Sequence, residues 1–237
     1  MKIIISPSKT QNFSNSFNNK EANKPTFINE SHRLIEEILK FTIEDLGRIM
    51  SLKEPLLTLT YESYRHFHKA KENHCIASYT GMVFKEIQLD DYDEEEVEFM
   101  KNHLRILSAL YGLLKPLDGI KPYRLDMKMK VIEGGLYQFW QDKITEELKK
   151  EDLIINLASG EFSKMVKLPM VTIDFKEKQS NNTYKVVASY AKKARGKMVN
   201  YLIKNKITSI ENLIGYQLDG YQYNPKLSKS DLIIFSR

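Results

Sequence analysis

Apolar positions fall along this chain in runs whose period changes from segment to segment. Residues 2–6 are a short apolar run, read as a buried strand that ends in the polar loop Ser6-Pro7-Ser8-Lys9-Thr10. Residues 11–25 are rich in Asn and Ser and read as a surface loop. Three helices are expected next. Residues 30–39 place Leu34, Ile35, Ile38 and Leu39 on one face. Thr42 opens the second helix as a cap. The third starts at Ser51-Leu52-Lys53-Glu54, a capping-box pattern, and runs through Tyr61, Tyr64, Arg65 and Phe67. Residues 75–79 read as a short strand ended by Thr80-Gly81. From 94 to 111, two adjacent stripes predict one largely buried helix. The first is Val97, Met100, Leu104, Leu107 and Tyr111, and the second is Phe99, His103, Ile106 and Leu110. Gly112 would supply its left-handed end.

After that helix, Pro116 and Pro122 stiffen a polar loop around a tight turn at Pro116-Leu117-Asp118-Gly119, leaving Lys115, Lys121 and Arg124 beside it. Gly134-Gly135 is a break, and a helix runs from Leu136 to about Lys150. Residues 152–157 (DLIINL) are the clearest strand. They lead into a turn where Ser159 can cap a helix and Glu161 suits its first turn. Residues 169–175 and 183–190 read as a hairpin. A helix opens at Ala191, a shorter one follows at 208–211, and residues 231–236 are the last strand. The order of elements predicts an α/β (mixed α+β) fold. It is a single domain over residues 1–237, with a mixed central sheet surrounded by helices.

Composition is that of an ordinary soluble globular protein, with 42% hydrophobic and 28% charged residues. The three apolar residues after Lys2 are too few for a signal peptide, and no run is long enough to span a membrane. One cysteine, Cys75, forbids an intrachain disulfide and fits a cytoplasmic setting. The net charge of +5 matters less than its distribution. Seven of the nine residues at 90–98 are acidic, which suits a helix start. Eight cations and no acid lie between 178 and 210: Lys178, Lys185, Lys192, Lys193, Arg195, Lys197, Lys204 and Lys206. If the helix begins at Ala191, several of these oppose its dipole, and a bound anion would relieve them. The alternative is a lysine-rich solvated face. His66, His68, His74 and Cys75 cluster in ten residues, but their spacing matches no zinc pattern, so no metal is expected.

Six stretches then identify a family. They are residues 5–10 (ISPSKT), 103–118 (HLRILSALYGLLKPLD), 121–127 (KPYRLDM), 136–140 (LYQFW), 155–159 (INLAS) and 189–196 (SYAKKARG). In these, and in their order, the chain resembles the bacterial YaaA proteins from its first strand to its last. It departs where the family usually carries Gly-Asp and this chain has Gly81-Met82. The resemblance implies a mixed α/β fold unlike the common superfolds. It implies a cytoplasmic protein of the peroxide-stress response, linked to lower free intracellular iron. It also implies DNA binding through a positively charged cleft and a helix-hairpin-helix element, with no established reaction. Residues 104–119 are the segment where we expect that element.

Three functions follow as expectations. In the first, the chain binds duplex or branched DNA with little sequence preference. Lys192, Lys193, Arg195 and Lys197 contact phosphates, Lys115, Lys121 and Arg124 line the same cleft, and Lys9 and Lys164 stand at its edge. In the second, it is a nucleic-acid-processing enzyme of base-excision or base-modifying type, with Asp118, Asn156 and Glu161 facing one pocket. In the third, it handles iron or peroxide without DNA. A single cysteine and unspaced histidines argue against the third. No cofactor is expected, and the sequence leaves the oligomeric state open.

Overall fold

Ile3, Ile4 and Ile5 have no exposed surface. They form most of β1 (Lys2–Ile5), which is paired along both edges at the centre of an eight-stranded sheet. The computed structural model describes residues 1–15, 17 and 21–237. The surface loop expected over 11–25 therefore lies partly outside the described residues.

Between β1 and the next long strand come α1 (Ile28–Ile38), α2 (Ile43–Met50), α3 (Leu56–Arg65), β2 (Asn73–His74), α4 (Cys75–Ser78) and α5 (Glu94–His103). Then follow β3 (Leu104–Ser108), β4 (Gly112–Leu114), β5 (Gly119–Ile120), α6 (Gly135–Leu148) and β6 (Ile154–Asn156). The chain closes with α7 (Gly160–Ser163), β7 (Val171–Lys178), β8 (Tyr184–Lys185), α8 (Ala188–Lys204), α9 (Ile210–Leu213), β9 (Gln222–Tyr223) and β10 (Leu232–Ser236). Strand order is β4-β3-β1-β6-β7-β10-β9, with β8 on β7. The inner five, β3, β1, β6, β7 and β10, are parallel, while β4, β8 and β9 are antiparallel additions. This is the mixed sheet with surrounding helices that the element pattern predicts. No helix among the described residues is long and apolar enough to cross a membrane.

The stretch 94–111 is not one helix. It breaks at His103, and residues 104–108 become β3, buried at every position. A parallel strand covered on both faces reads as a continuous apolar run, and over so few residues periodicity cannot separate it from a buried helix. Gly112 does take a left-handed conformation (φ 72°), but in the β3–β4 hairpin, where a Cβ would meet the Trp140 ring at 2.6 Å. The Ser108 hydroxyl accepts from the Leu110 and Tyr111 amides and shapes that turn. Residues 104–119 are thus strands and turns, and the helix-hairpin-helix element expected there is absent from that segment.

Smaller expectations are also corrected. Residues 75–79 hold one helical turn rather than a strand. Ser51 is the left-handed end of α2, and α3 starts after Pro55 without a side-chain cap. Glu54 instead accepts from the Thr58 hydroxyl at 2.9 Å. The capping box of α2, Thr42 with Asp45, forms as its sequence predicts. The expected strand at 183–190 is only β8, and α8 starts at Ala188, so Lys192, Lys193, Arg195 and Lys197 lie beyond its first turn. The dipole argument for that basic run therefore fails, because the dipole acts within the first turn.

The run has another partner. α8 lies against the acidic start of α5. Lys206 pairs with Glu95, Lys204 stands 3.8 Å from Glu96 and donates to the Asp91 carbonyl, and Asn200 accepts from the Tyr92 hydroxyl. Gly196 sets how closely α8 approaches the segment before α5. A Cβ there would lie 2.2 Å from the Val83 carbonyl oxygen and 2.8 Å from Glu86 Cβ. Gly→Ala inside a helix ordinarily stabilises by about 1 kcal/mol. Here the sign reverses. Gly196→Ala is expected to destabilise by about 1–3 kcal/mol through overpacking against backbone, read as a lower midpoint in denaturant or thermal unfolding. A gain in stability would show that the packing there yields freely.

Candidate anion-binding cleft

From β1 the chain passes to β3 on one side, and from β6 it passes to β7 on the other. The loops that follow β1 and β6 therefore diverge, which opens a crevice at the carboxyl ends of the strands. In open α/β sheets this switch point is where ligands bind. A cavity of about 610 Å³ occupies it. Residues 6–11 after β1 and Leu157, Ser159, Glu161 and Phe162 after β6 form its floor, residues 80–85 and 123–126 its walls, and Lys192 and Arg195 of α8 its remaining side.

Short hydrogen bonds hold the two floor loops together. The Ser159 amide donates to Ser6 Oγ at 2.8 Å, and the Ser6 hydroxyl donates to Ser159 Oγ at 3.1 Å. Ser159 thus faces the neighbouring loop and makes no side-chain cap for α7. The Thr10 amide donates to Ser8 Oγ at 3.1 Å. The wall is tied to the floor by the Thr80 amide on the Thr10 carbonyl and the Tyr123 amide on Gln11 Oε1. Behind it, the Tyr123 hydroxyl sits 2.7 Å from that of Tyr79 and 2.8 Å from Ser108 Oγ. Burial pushes its pKa up to about 12, so this chain of hydroxyls is neutral.

Five cations line the cavity (Lys9, Lys85, Arg124, Lys192 and Arg195) against two carboxylates, Asp126 and Glu161. Both acids are engaged: Asp126 pairs with Lys9 at 2.5 Å, and Glu161 Oε1 accepts from the Met127 amide at 3.1 Å. Arg195, 17% exposed, donates to Asp174 Oδ1 at 3.0 Å, but its buried Nε has no partner among the described residues. The Arg124 guanidinium makes no hydrogen bond or ion pair among the described residues, and its Nε is buried as well. The lining thus carries a net positive charge, with Arg124 lacking a counter-charge among the described residues, which is electrostatically suited to an anion.

The sequence-predicted cations separate into two groups. Lys9, Arg124, Lys192 and Arg195 meet in the cavity. Lys193 and Lys164 are exposed and do not line it, though each follows a lining segment closely in the chain. Lys115 is exposed elsewhere. Lys121 donates to the His68 carbonyl at 3.0 Å, and Lys197 pairs with Asp219 at 2.7 Å, so neither belongs to the cleft. Lys85, Thr80 and Phe84 line the cavity and carry no motif that marks them in the sequence. The nearest signal is Gly81-Met82, where the family pattern is broken.

The structure does not bring Asp118, Asn156 and Glu161 into one pocket. Only Glu161 lines the cavity. Asn156 is buried beneath it, donating to Thr172 Oγ1 and accepting from the Ala158 amide. Asp118, 2% exposed, accepts from the Lys115 amide at 2.8 Å and shapes a turn. Cys75 is sealed beside that turn, its thiol donating to the Lys115 and Pro116 carbonyls, and burial pushes its pKa well above the usual range. Among the described residues no three His, Cys, Asp or Glu side chains are grouped to hold a metal ion.

Burial raises the Asp118 pKa from 3.8 to about 6. The folded state then binds a proton more tightly than the unfolded chain. The stability this contributes is present below about pH 4 and is lost as pH rises through 6. Replacing the charge should therefore help at neutral pH. Asp118→Asn is expected to gain on the parent protein by up to about 3 kcal/mol between pH 4 and 7, measured as the difference in urea unfolding free energy. A difference independent of pH would show that Asp118 titrates normally.

A family model described as peroxide stress protein YaaA matches residues 1–227. A UPF0246 protein of Fusobacterium nucleatum is 43% identical over 246 residues, covering all of this chain and 99% of the relative. A UPF0246 protein of Clostridium perfringens is 40% identical over 254 residues, and one of Acaryochloris marina is 39% identical over 253, each alignment covering both chains completely.

Proposed function

The chain belongs to the family of the peroxide stress protein YaaA, and from that membership and the cleft's chemistry we propose that it binds duplex or branched DNA by its phosphates. The observation that carries this reading is the cation cluster at the switch point, built around the Arg124 guanidinium, which is half-buried and without an acidic partner among the described residues. Lys9, Lys85, Lys192 and Arg195 surround it, and exposed Lys193 and Lys164 extend the positive surface outward. Lysine and arginine on phosphate oxygens give affinity without reading bases, so little sequence preference is expected. The protein then serves the peroxide-stress response on DNA. We assign no residue to the association with limited free iron.

The test is a salt series with a labelled duplex. Removing one cation from a phosphate flattens the slope of log K against log salt by about 0.9. Replacing Lys192, Lys193 and Arg195 together by Ala is expected to flatten it by about 2 to 3 and to weaken binding at every salt concentration. Lys121→Ala and Lys197→Ala, whose ammonium groups have partners inside the protein, should leave it unchanged. A triple variant with the parent slope would remove DNA from this cleft.

A further inference from the structure

We infer that the cavity holds one nucleotide unit, its phosphate on Arg124 and Arg195 and its base against the aromatic side chains of Phe84 and Phe162. On DNA this is a nucleotide turned out of the helix, so the inference rests on the DNA reading above.

Size is the first argument. At about 610 Å³ the cavity falls within the range of about 300–1,000 Å³ found for small-ligand pockets. A double helix does not fit inside it. Phosphates of an intact duplex first meet the exposed cations at its mouth, Lys9, Lys85 and Lys192. Arg124 and Arg195 are half-buried, and a phosphate held by the outer nitrogens of both guanidiniums has to enter the cavity that they line.

The second argument is that the lining combines two chemistries. Guanidiniums form a planar fork that matches phosphate oxygens, and the hydroxyls of Ser6, Ser8 and Thr10 add further donors and acceptors. Pro7, Val83, Phe84, Leu157 and Phe162 add apolar surface to the same lining. Inorganic phosphate would use the polar groups and leave the apolar ones idle. A nucleotide uses both, because a base presents a flat π-face that stacks on aromatic side chains whatever its identity. Extruding a nucleotide costs a few kcal/mol in a paired duplex and least where the base is mispaired or damaged. The cavity would therefore favour DNA carrying an unpaired nucleotide without reading sequence.

The experiment uses the full chain and two duplexes containing 2-aminopurine, one with the reporter mispaired and one matched. Unstacking of the reporter raises its fluorescence. A several-fold rise at saturating protein is expected on the mispaired duplex and a smaller one on the matched duplex. Arg124→Gln should abolish the rise while duplex binding is retained at low salt. Lys192→Glu, at an exposed position that the fold tolerates, should reduce the rise and so guards against a misfolded arginine variant. Deoxyadenosine monophosphate should suppress the signal by competing for the cavity, and inorganic phosphate at the same concentration should not. Saturable duplex binding with no fluorescence change and no effect of the mononucleotide would overturn the inference and leave the DNA reading standing. Protection against heat by the mononucleotide, lost in Arg124→Gln, with no duplex binding at any salt, would overturn the DNA reading and support a site for a free nucleotide.

Discussion

Everything in this fold refers back to β1 being paired in parallel on both edges, Ile3 beside Leu104 on one side and Ile155 on the other. A strand so placed has no free edge and no exposed face, which is why three isoleucines can follow one another there. Because the chain leaves β1 towards β3 and only later reaches β6 on the opposite flank, the loops after β1 and β6 part from each other. The crevice is thus a product of strand order, and no loop has to be strained to create it. Ser6 and Ser159 then fix its floor by bonding across the gap.

A second constraint comes from the charges, which the sequence separates and the fold brings back together. The acidic start of α5 and the far end of α8 face each other. Pairs this exposed are worth at most about 1 kcal/mol each, so they do not hold the sheet together. Their effect is on the field. Lys197, Lys204 and Lys206 are neutralised by nearby carboxylates. The uncompensated positive charge is left at Lys192, Arg124 and their neighbours, where the crevice opens. Low-dielectric walls around a concave site concentrate such a field, and an anion is drawn to it from solution.

How much of this was legible depended on whether local pattern and tertiary environment agreed. β1, β6, α2 and α6 were readable because each has a run, a cap or a break that acts locally. The segment 104–108 was not. Its leucines favour helix, and only the burial of both faces between β1 and β4 makes a strand of them. The cations were legible as a cluster in sequence, but their directions were not. Consecutive residues of a helix point different ways, so Lys192 and Arg195 reach the cavity while Lys197 reaches Asp219. Asp118 and Asn156 looked chemical for the same reason that they are structural. Short polar side chains at turns and strand ends bond the backbone around them.

The division of labour between arginine and lysine in the cleft follows from solvation. A lysine ammonium is a compact, strongly hydrated charge, and Lys9, Lys85 and Lys192 all keep theirs in contact with water. A guanidinium is delocalised and more weakly hydrated, so it can be drawn further from solvent, as those of Arg124 and Arg195 are. Arg195 is held by Asp174, and the Arg124 backbone by the Tyr64 hydroxyl on its carbonyl at 2.6 Å. The Arg195 guanidinium, fixed before the ligand arrives, loses little freedom on binding it. Exposed lysines at the mouth supply long-range attraction, which is quick and weakened by salt. Sheltered arginines inside supply geometry, which is short-ranged and resists salt. A surface that only collected phosphates would need the first and not the second. Having both, in a crevice that the strand order creates, is what separates a binding site with an interior from a basic patch.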